Sequence, residues 1–148
     1  MIRFGTYTRF GGYDFRLLEK SDCYRLVFDG AVCPLLNFIK YTDNVFYLDV
    51  SKEEIDNAFS IRTYGIYKGY KFDVNKLNGE NIIGIVTDDK NAFEDLKLEF
   101  RDRDVYQKEI KINELDKLWE ERTQSTHDLP LPKGLELIKE IDIRKDLR

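Results

Sequence analysis

Ring or aliphatic side chains alternate with polar ones from Ile2 to Phe10, break at Gly11-Gly12, and resume from Tyr13 to Leu18. Period-two alternation marks a strand with one buried face, and a Gly-Gly pair accepts the positive φ of a tight turn, so this spacing predicts a hairpin. Cys23 to Phe28 reads as a third strand ending at Asp29-Gly30. Between Ala31 and Tyr41, Pro34 fixes a bend, and Leu35 to Ile39 suits either a strand or a short helix. Asn44 to Val50 is a further strand.

The pattern then changes period. Ser51 and Glu54 have the spacing of a capping box, in which the hydroxyl accepts from one backbone N–H and the carboxylate reaches back to another. Ile55, Ala58, Phe59 and Arg62 come next at i, i+3, i+4 and i+7, which predicts an amphipathic helix. A second helix is predicted where Leu115, Leu118 and Trp119 recur at the same spacing. It starts nearer Asn113, because Lys111 stands where Ser51 stood.

These two stretches are copies of one another. Val45–Thr63 laid over Val105–Thr123 without a gap matches Val45/Val105, Glu54/Glu114, Asp56/Asp116, Arg62/Arg122 and Thr63/Thr123, with Ile55/Leu115, Ala58/Leu118 and Phe59/Trp119 as conservative pairs. The same offset pairs Gly5 with Gly65 and Tyr7 with Tyr67. The expectation is therefore an α+β, antiparallel β-rich single domain, 1–148, built from two divergent units of about 60 residues, each a β-hairpin and strand followed by a helix. Repeat 1 covers about 2–63, repeat 2 about 64–123, and 124–148 is a C-terminal extension. Within the second copy, Ile61 to Tyr67 turns at Lys68-Gly69 into Tyr70–Val74, Asn78-Gly79 predicts another hairpin turn before Asn81–Thr87, and strands are expected at Leu96–Phe100 and Val105–Ile110. Pro130 and Pro132 keep the extension irregular, Leu135–Ile141 suits a closing strand, and Arg144–Arg148 reads as a frayed tail. Phe59 and Trp119 are expected to pack in a shared interior.

Composition narrows the function classes. A chain of 148 residues buries roughly two thirds of its unfolded surface and can fold unaided. Its 9 Tyr and 10 Phe suit pleated surfaces. The net charge of −4 and pI near 5.2 argue against a general nucleic-acid binder and favour a basic protein partner. The first residues lack a signal-peptide pattern and no apolar run is long enough to span a membrane. With two cysteines, Cys23 and Cys33, in a chain able to form its own core, the reading is a soluble cytoplasmic protein with reduced thiols.

No arrangement of residues states a chemistry. His127 is the single histidine, and its neighbours Ser125 and Asp128 cannot converge on it as the separate segments of a catalytic triad do. One histidine and two cysteines fall short of a four-donor zinc site. Asp88, Asp89 and Asp95, with Asp102 and Asp104, have carboxylate spacings but lack the central Gly and terminal Glu of a calcium loop, so a solvated acidic loop is expected and no metal or cofactor. Arg62 and Arg122 read as helix-end cations paired with carboxylates. The glycines fall at turns and form no phosphate-binding loop.

Size, acidity, the mixed sheet-and-helix layout, Trp119-Glu-Glu-Arg122 and Leu129-Pro-Leu-Pro132 together resemble the small cytoplasmic immunity proteins that neutralise bacterial polymorphic toxins. The resemblance implies a protein, not an enzyme, that covers the basic active-site surface of a cognate toxin domain, often a nuclease. Asp88, Asp89, Glu94, Asp95, Asp102 and Asp104 would then be the contact charges, raising the association rate by steering. Two other readings stand beside it: an enzyme with an unfamiliar acidic or metal site, and a phage or plasmid structural protein that assembles with copies of itself.

Overall fold

The computed structural model describes residues 2–76 and 81–143, so the turn expected at Asn78-Gly79 and the tail Arg144–Arg148 lie outside the described residues. Within them the chain forms twelve strands, one seven-residue α-helix and two single turns of 3-10 helix. It divides into two compact units. The first comprises Gly5–Ile61 and Arg122–Glu136; the second comprises Arg62–Glu121 with the described residues of Met1–Phe4 and Leu137–Arg148.

In the first unit, β1 (Gly5–Phe10), β2 (Tyr13–Glu19) and β3 (Tyr24–Asp29) form a meander, and β4 (Ile39–Thr42) and β5 (Val45–Val50) form a hairpin. β5 pairs with β3, and β1 pairs with the start of β6 (Phe59–Tyr67), giving the antiparallel order β4-β5-β3-β2-β1-β6. The positive φ of Gly11 and Gly12 closes the β1–β2 turn as their lack of a Cβ allows. Phe15, Leu17, Tyr24, Leu26, Val50, Ile55 and Ala58 fill one core cluster, and Tyr7, Phe59 and Ile61 a smaller one.

The second unit is laid out alike. The end of β6 pairs with β7 (Tyr70–Lys76), β7 with β8 (Ile82–Thr87), β8 with β10 (Val105–Lys111), and β10 with β9 (Glu99–Asp102), all antiparallel. β11 (Lys117–Gln124) pairs with β6 and with β12 (Ile138–Glu140). The core gathers Phe72, Val74, Ile83, Ile85, Leu115 and Leu118 with Ala92 of helix α1 (Lys90–Leu96).

The fold corrects the α+β expectation: the molecule is β-rich, and the two helices predicted after Ser51 and after Asn113 do not form. In each place the chain makes one 3-10 turn, Lys52–Glu54 or Ile112–Glu114, and then runs into a strand, β6 or β11. The local capping chemistry was real but stops after a turn. Glu54 Oε2 accepts from the Ser51 backbone N–H at 2.8 Å, and Glu114 Oε2 from that of Lys111 at 2.7 Å. This second contact forms although Lys111 replaces the serine, because the carboxylate arm of the box addresses backbone alone.

What recurs at the sixty-residue spacing is thus strand, 3-10 turn, strand. The hairpin strands β4 and β9 occupy 39–42 and 99–102, and the 3-10 turns 52–54 and 112–114. Even the irregularities match: Tyr41 is passed over in the β4–β5 register and Arg101 in the β9–β10 register, so each hairpin carries the same β-bulge.

Helical spacing misled because Ile55, Ala58 and Phe59 are all buried, which meets the pattern of a stripe without forming one. From Phe59 onward burial strictly alternates through Ile61, Thr63, Gly65 and Tyr67, the period of a strand. In β11 the inward positions are Leu118, Glu120 and Arg122, two of them charged, which hides the same period from a hydrophobicity reading. Phe59 is fully buried as expected, whereas Trp119 is only half-buried and lies outside the core clusters. Arg62 and Arg122, expected at helix ends, lie on strands; Arg62 is exposed, and Arg122 is buried and donates to the Glu136 carbonyl at 2.8 Å.

Candidate functional site

The register of the second unit decides where the acidic side chains go. Thr87 pairs with Tyr106 in β8–β10, and Asp102 pairs with Val105 in β9–β10. Asp88, one residue past Thr87, therefore reaches the same end of these strands as Asp102, and Asp104 stands in the turn between β9 and β10 with φ of 57°. All six carboxylates expected to form the contact surface are exposed.

Three of them also have local work. Asp89 caps α1, its Oδ1 accepting from the Asn91 N–H at 2.8 Å and the Ala92 N–H at 3.4 Å. This helix replaces the solvated loop expected from Asp88 to Asp95. Asp95 accepts from the Tyr70 hydroxyl, and that hydrogen bond raises the phenol above its ordinary value, helped by desolvation and by the charges of Asp95 and Asp89. Asp102 accepts from the Arg103 N–H at 2.7 Å. Asp88 and Glu94 are exposed. Among the described residues no three His, Cys, Asp or Glu side chains converge on a point that could hold a metal ion.

Asp88 also lines a shallow cleft of about 340 Å³ with Tyr64, Lys71, Asp73, Thr87 and Val105. Desolvation lifts the Asp73 carboxyl above its ordinary value; Asp88 and Glu121 push the same way, while Arg62 and Lys71 oppose. Beside the cleft the Tyr64 and Trp119 rings lie 6.1 Å apart, and the Lys71 ammonium sits 4.3 Å from the Tyr64 centroid and 3.5 Å from Glu121 Oε2. Glu121 also accepts from the Trp119 indole N–H at 2.9 Å. Sequence reading missed Asp73, Lys71 and Tyr64. Their one signal is that Lys71 and Asp73 take the outward positions of an alternating strand, which by itself says only that they meet solvent.

In the first unit the His127 side chain is 15% exposed, its Nε2 lies 3.3 Å from Glu19 Oε2, and its ring meets Tyr24 edge-on. Its Nδ1 is buried without a hydrogen-bond partner. Neither Ser125, whose hydroxyl accepts from the His127 backbone N–H, nor Asp128 makes a catalytic relay with it.

The molecule is thus an antiparallel β protein of two like-built units, with a carboxylate-rich strand end and a shallow cleft in the second. The chain belongs to the family described as uncharacterised conserved protein UCP033725, whose model matches residues 2–127. No curated protein and no solved structure matches it. No helix among the described residues is long and apolar enough to cross a membrane.

Proposed function

We propose that this chain is a protein-binding module that docks a basic partner domain on the acidic end of β8, β9 and β10, in the manner of the toxin-neutralising immunity proteins it resembles. The observation that carries the reading is the charge of one continuous segment. From Asp88 to Asp104 there are seven carboxylates and four basic side chains, a surplus equal to three of the four net negative charges of the whole chain. Strand register brings Asp88, Asp102 and Asp104 of that segment to one end, so their fields add toward an approaching cation. Such a surface sets association rate and partner choice more than it sets buried area. A toxin whose active site binds phosphates is basic and fits it.

The test is co-expression with the C-terminal domain of the protein encoded immediately upstream, then affinity capture and stopped-flow association. Capture is expected, with an association rate that falls steeply with added salt. Asp88→Lys combined with Asp102→Lys is expected to slow association by at least tenfold, with the melting temperature lowered only by the loss of the Asp102 contact with the Arg103 N–H. No capture, or a rate indifferent to both salt and the double reversal, removes the proposal.

A further inference from the structure

The two units differ at one equivalent place. In the second unit α1 lays Ala92, Phe93 and Leu96 onto the core, with Phe93 stacked 4.3 Å from Tyr106. Sixty residues earlier stand Val32, Cys33 and Leu36, and no helix forms there. Pro34 occupies the position of Glu94, mid-helix, where its ring and missing N–H forbid the turn. Val32 is left 81% exposed and Leu36 89%, and on the adjoining edge strand β4 Ile39 is 53% and Tyr41 74% exposed. Leu36 also lines a groove of about 630 Å³ whose walls include Phe10, Leu35, Phe38 and Leu48, with the Asp49 and Glu54 carboxylates at its border.

We infer that this face of the first unit is a self-docking surface, occupied by the same face of a second copy of the chain. Two observations select that occupant. The four exposed residues present on the order of 500 Å² of surface, the size of the largest patch on a typical monomer, which is often functional, and the greater part of the roughly 800 Å² that each partner in a stable dimer covers. The stretch from Val32 to Asp43 carries one Lys and one Asp, which pair with each other at 3.3 Å, and the Asp49 carboxylate on the groove wall is held by Arg25 at 2.7 Å, so most of the charge at this face is paired within each copy although each chain carries −4. The bulge at Tyr41 interrupts the free edge of β4, so the contact is made by side chains and not by extending the sheet.

Sedimentation velocity of the full-length chain over a concentration series from micromolar to hundreds of micromolar tests this. A species of twice the 17.6 kDa chain mass is expected to grow with concentration. Val32→Asp combined with Leu36→Asp is expected to weaken dimerisation at least tenfold. Both positions are exposed, so the thermal melt of the monomer should hold, and circular dichroism checks that it does. Asp88→Lys, in the other unit, is expected to leave dimerisation intact. A wild type that stays monomeric assigns the patch to a different protein and overturns the inference. So does a dimer indifferent to the Val32 and Leu36 substitutions, or one dissolved by Asp88→Lys.

Discussion

The guanidinium of Arg3 holds the carboxylate of Glu120 through two hydrogen bonds of 2.9 Å, Nε to Oε2 and Nη2 to Oε1. Glu120 points inward from β11 with its side chain 5% exposed, so this fork is what makes a buried charge tolerable there. Arg3→Leu removes both hydrogen bonds of the fork. A loss of about 3 kcal/mol is expected, at the low end for a broken buried pair because Arg3 retains some solvent contact. Arg3→Lys should be intermediate, since an ammonium cannot make the fork. Denaturant unfolding measures both; an Arg3→Leu midpoint equal to wild type would show that the pair holds nothing together.

Glu54 and Glu114 close equivalent 3-10 turns from outside, each through its contact with a backbone N–H three residues earlier. Glu54→Ala and Glu114→Ala are each expected to cost about 1 kcal/mol, the ordinary value of a lost cap. Glutamine at either site should recover part of it. Similar losses from the two alanine variants would mean that the duplicated sequence preserves one physical device. A loss confined to Glu54 would mean that the Lys111 copy has decayed.

Gly5 and Gly65 stand at equivalent positions for different reasons. Gly5 has φ of +112° with open space around its Cα, so only the backbone demands glycine. At Gly65 an added Cβ would come within 3.1 Å of Leu115 Cδ2, the Lys117 carbonyl and Val74 Cγ2, so the demand is room. Gly65→Ala is expected to cost about 1–3 kcal/mol by overpacking. Val74→Ala, which removes one of the three obstructing groups, should lower the additional cost of Gly65→Ala. At Gly5 the penalty of alanine should be insensitive to Val74. Double-mutant cycles decide this, and additivity at Gly65 would contradict it.

Asp49 pairs across strands with Arg25, and the hydrogen bonds from that guanidinium hold its carboxyl below the ordinary value. A carboxyl depressed in the folded state contributes stability above its unfolded value, near 3.9 for an aspartate, and loses it as pH falls through the lower, folded value. Asp49→Asn should therefore differ from wild type by a constant amount from neutral pH down to about 5 and converge on it below about 4. The pair is largely exposed, so the difference should be small and should shrink in high salt. Thermal melts across that range read it, and a gap that widens on acidification would reverse the assignment.

Much of the strand pattern was readable in order. The hairpin at Gly11-Gly12, the turn at Lys68-Gly69 and the strands around Val45–Val50 and Val105–Lys111 come from alternation and turn chemistry, both local properties. The two predicted helices failed because Ser51 and Glu54 specify only a first turn, while the conformation beyond that turn is decided by partners far along the chain. β6 is a strand because β1 and β7 pair with its two ends, and β11 because β6 accepts it. In the candidate site, Asp88, Asp102 and Asp104 were singled out by charge, but that they share a strand end depends on register. Asp73 and Lys71 carry only the outward phase of an alternating strand, which marks them as solvent-facing and nothing more.

The sequence by itself determined the sixty-residue spacing of like residues, the turns at Gly11-Gly12 and Lys68-Gly69, the excess of acid and the absence of any recognisable catalytic motif, because each rests on residue identity and near-neighbour spacing. Tertiary structure alone decided that the duplicated unit is strand, turn and strand, that Glu120 and Arg122 face inward, and that Trp119 is left half-buried outside the core clusters. Those outcomes turn on which polar group finds a buried partner, and Arg3 and the Glu136 carbonyl supply theirs from 117 and 14 residues away. Hydrophobic spacing cannot register a partner at that distance.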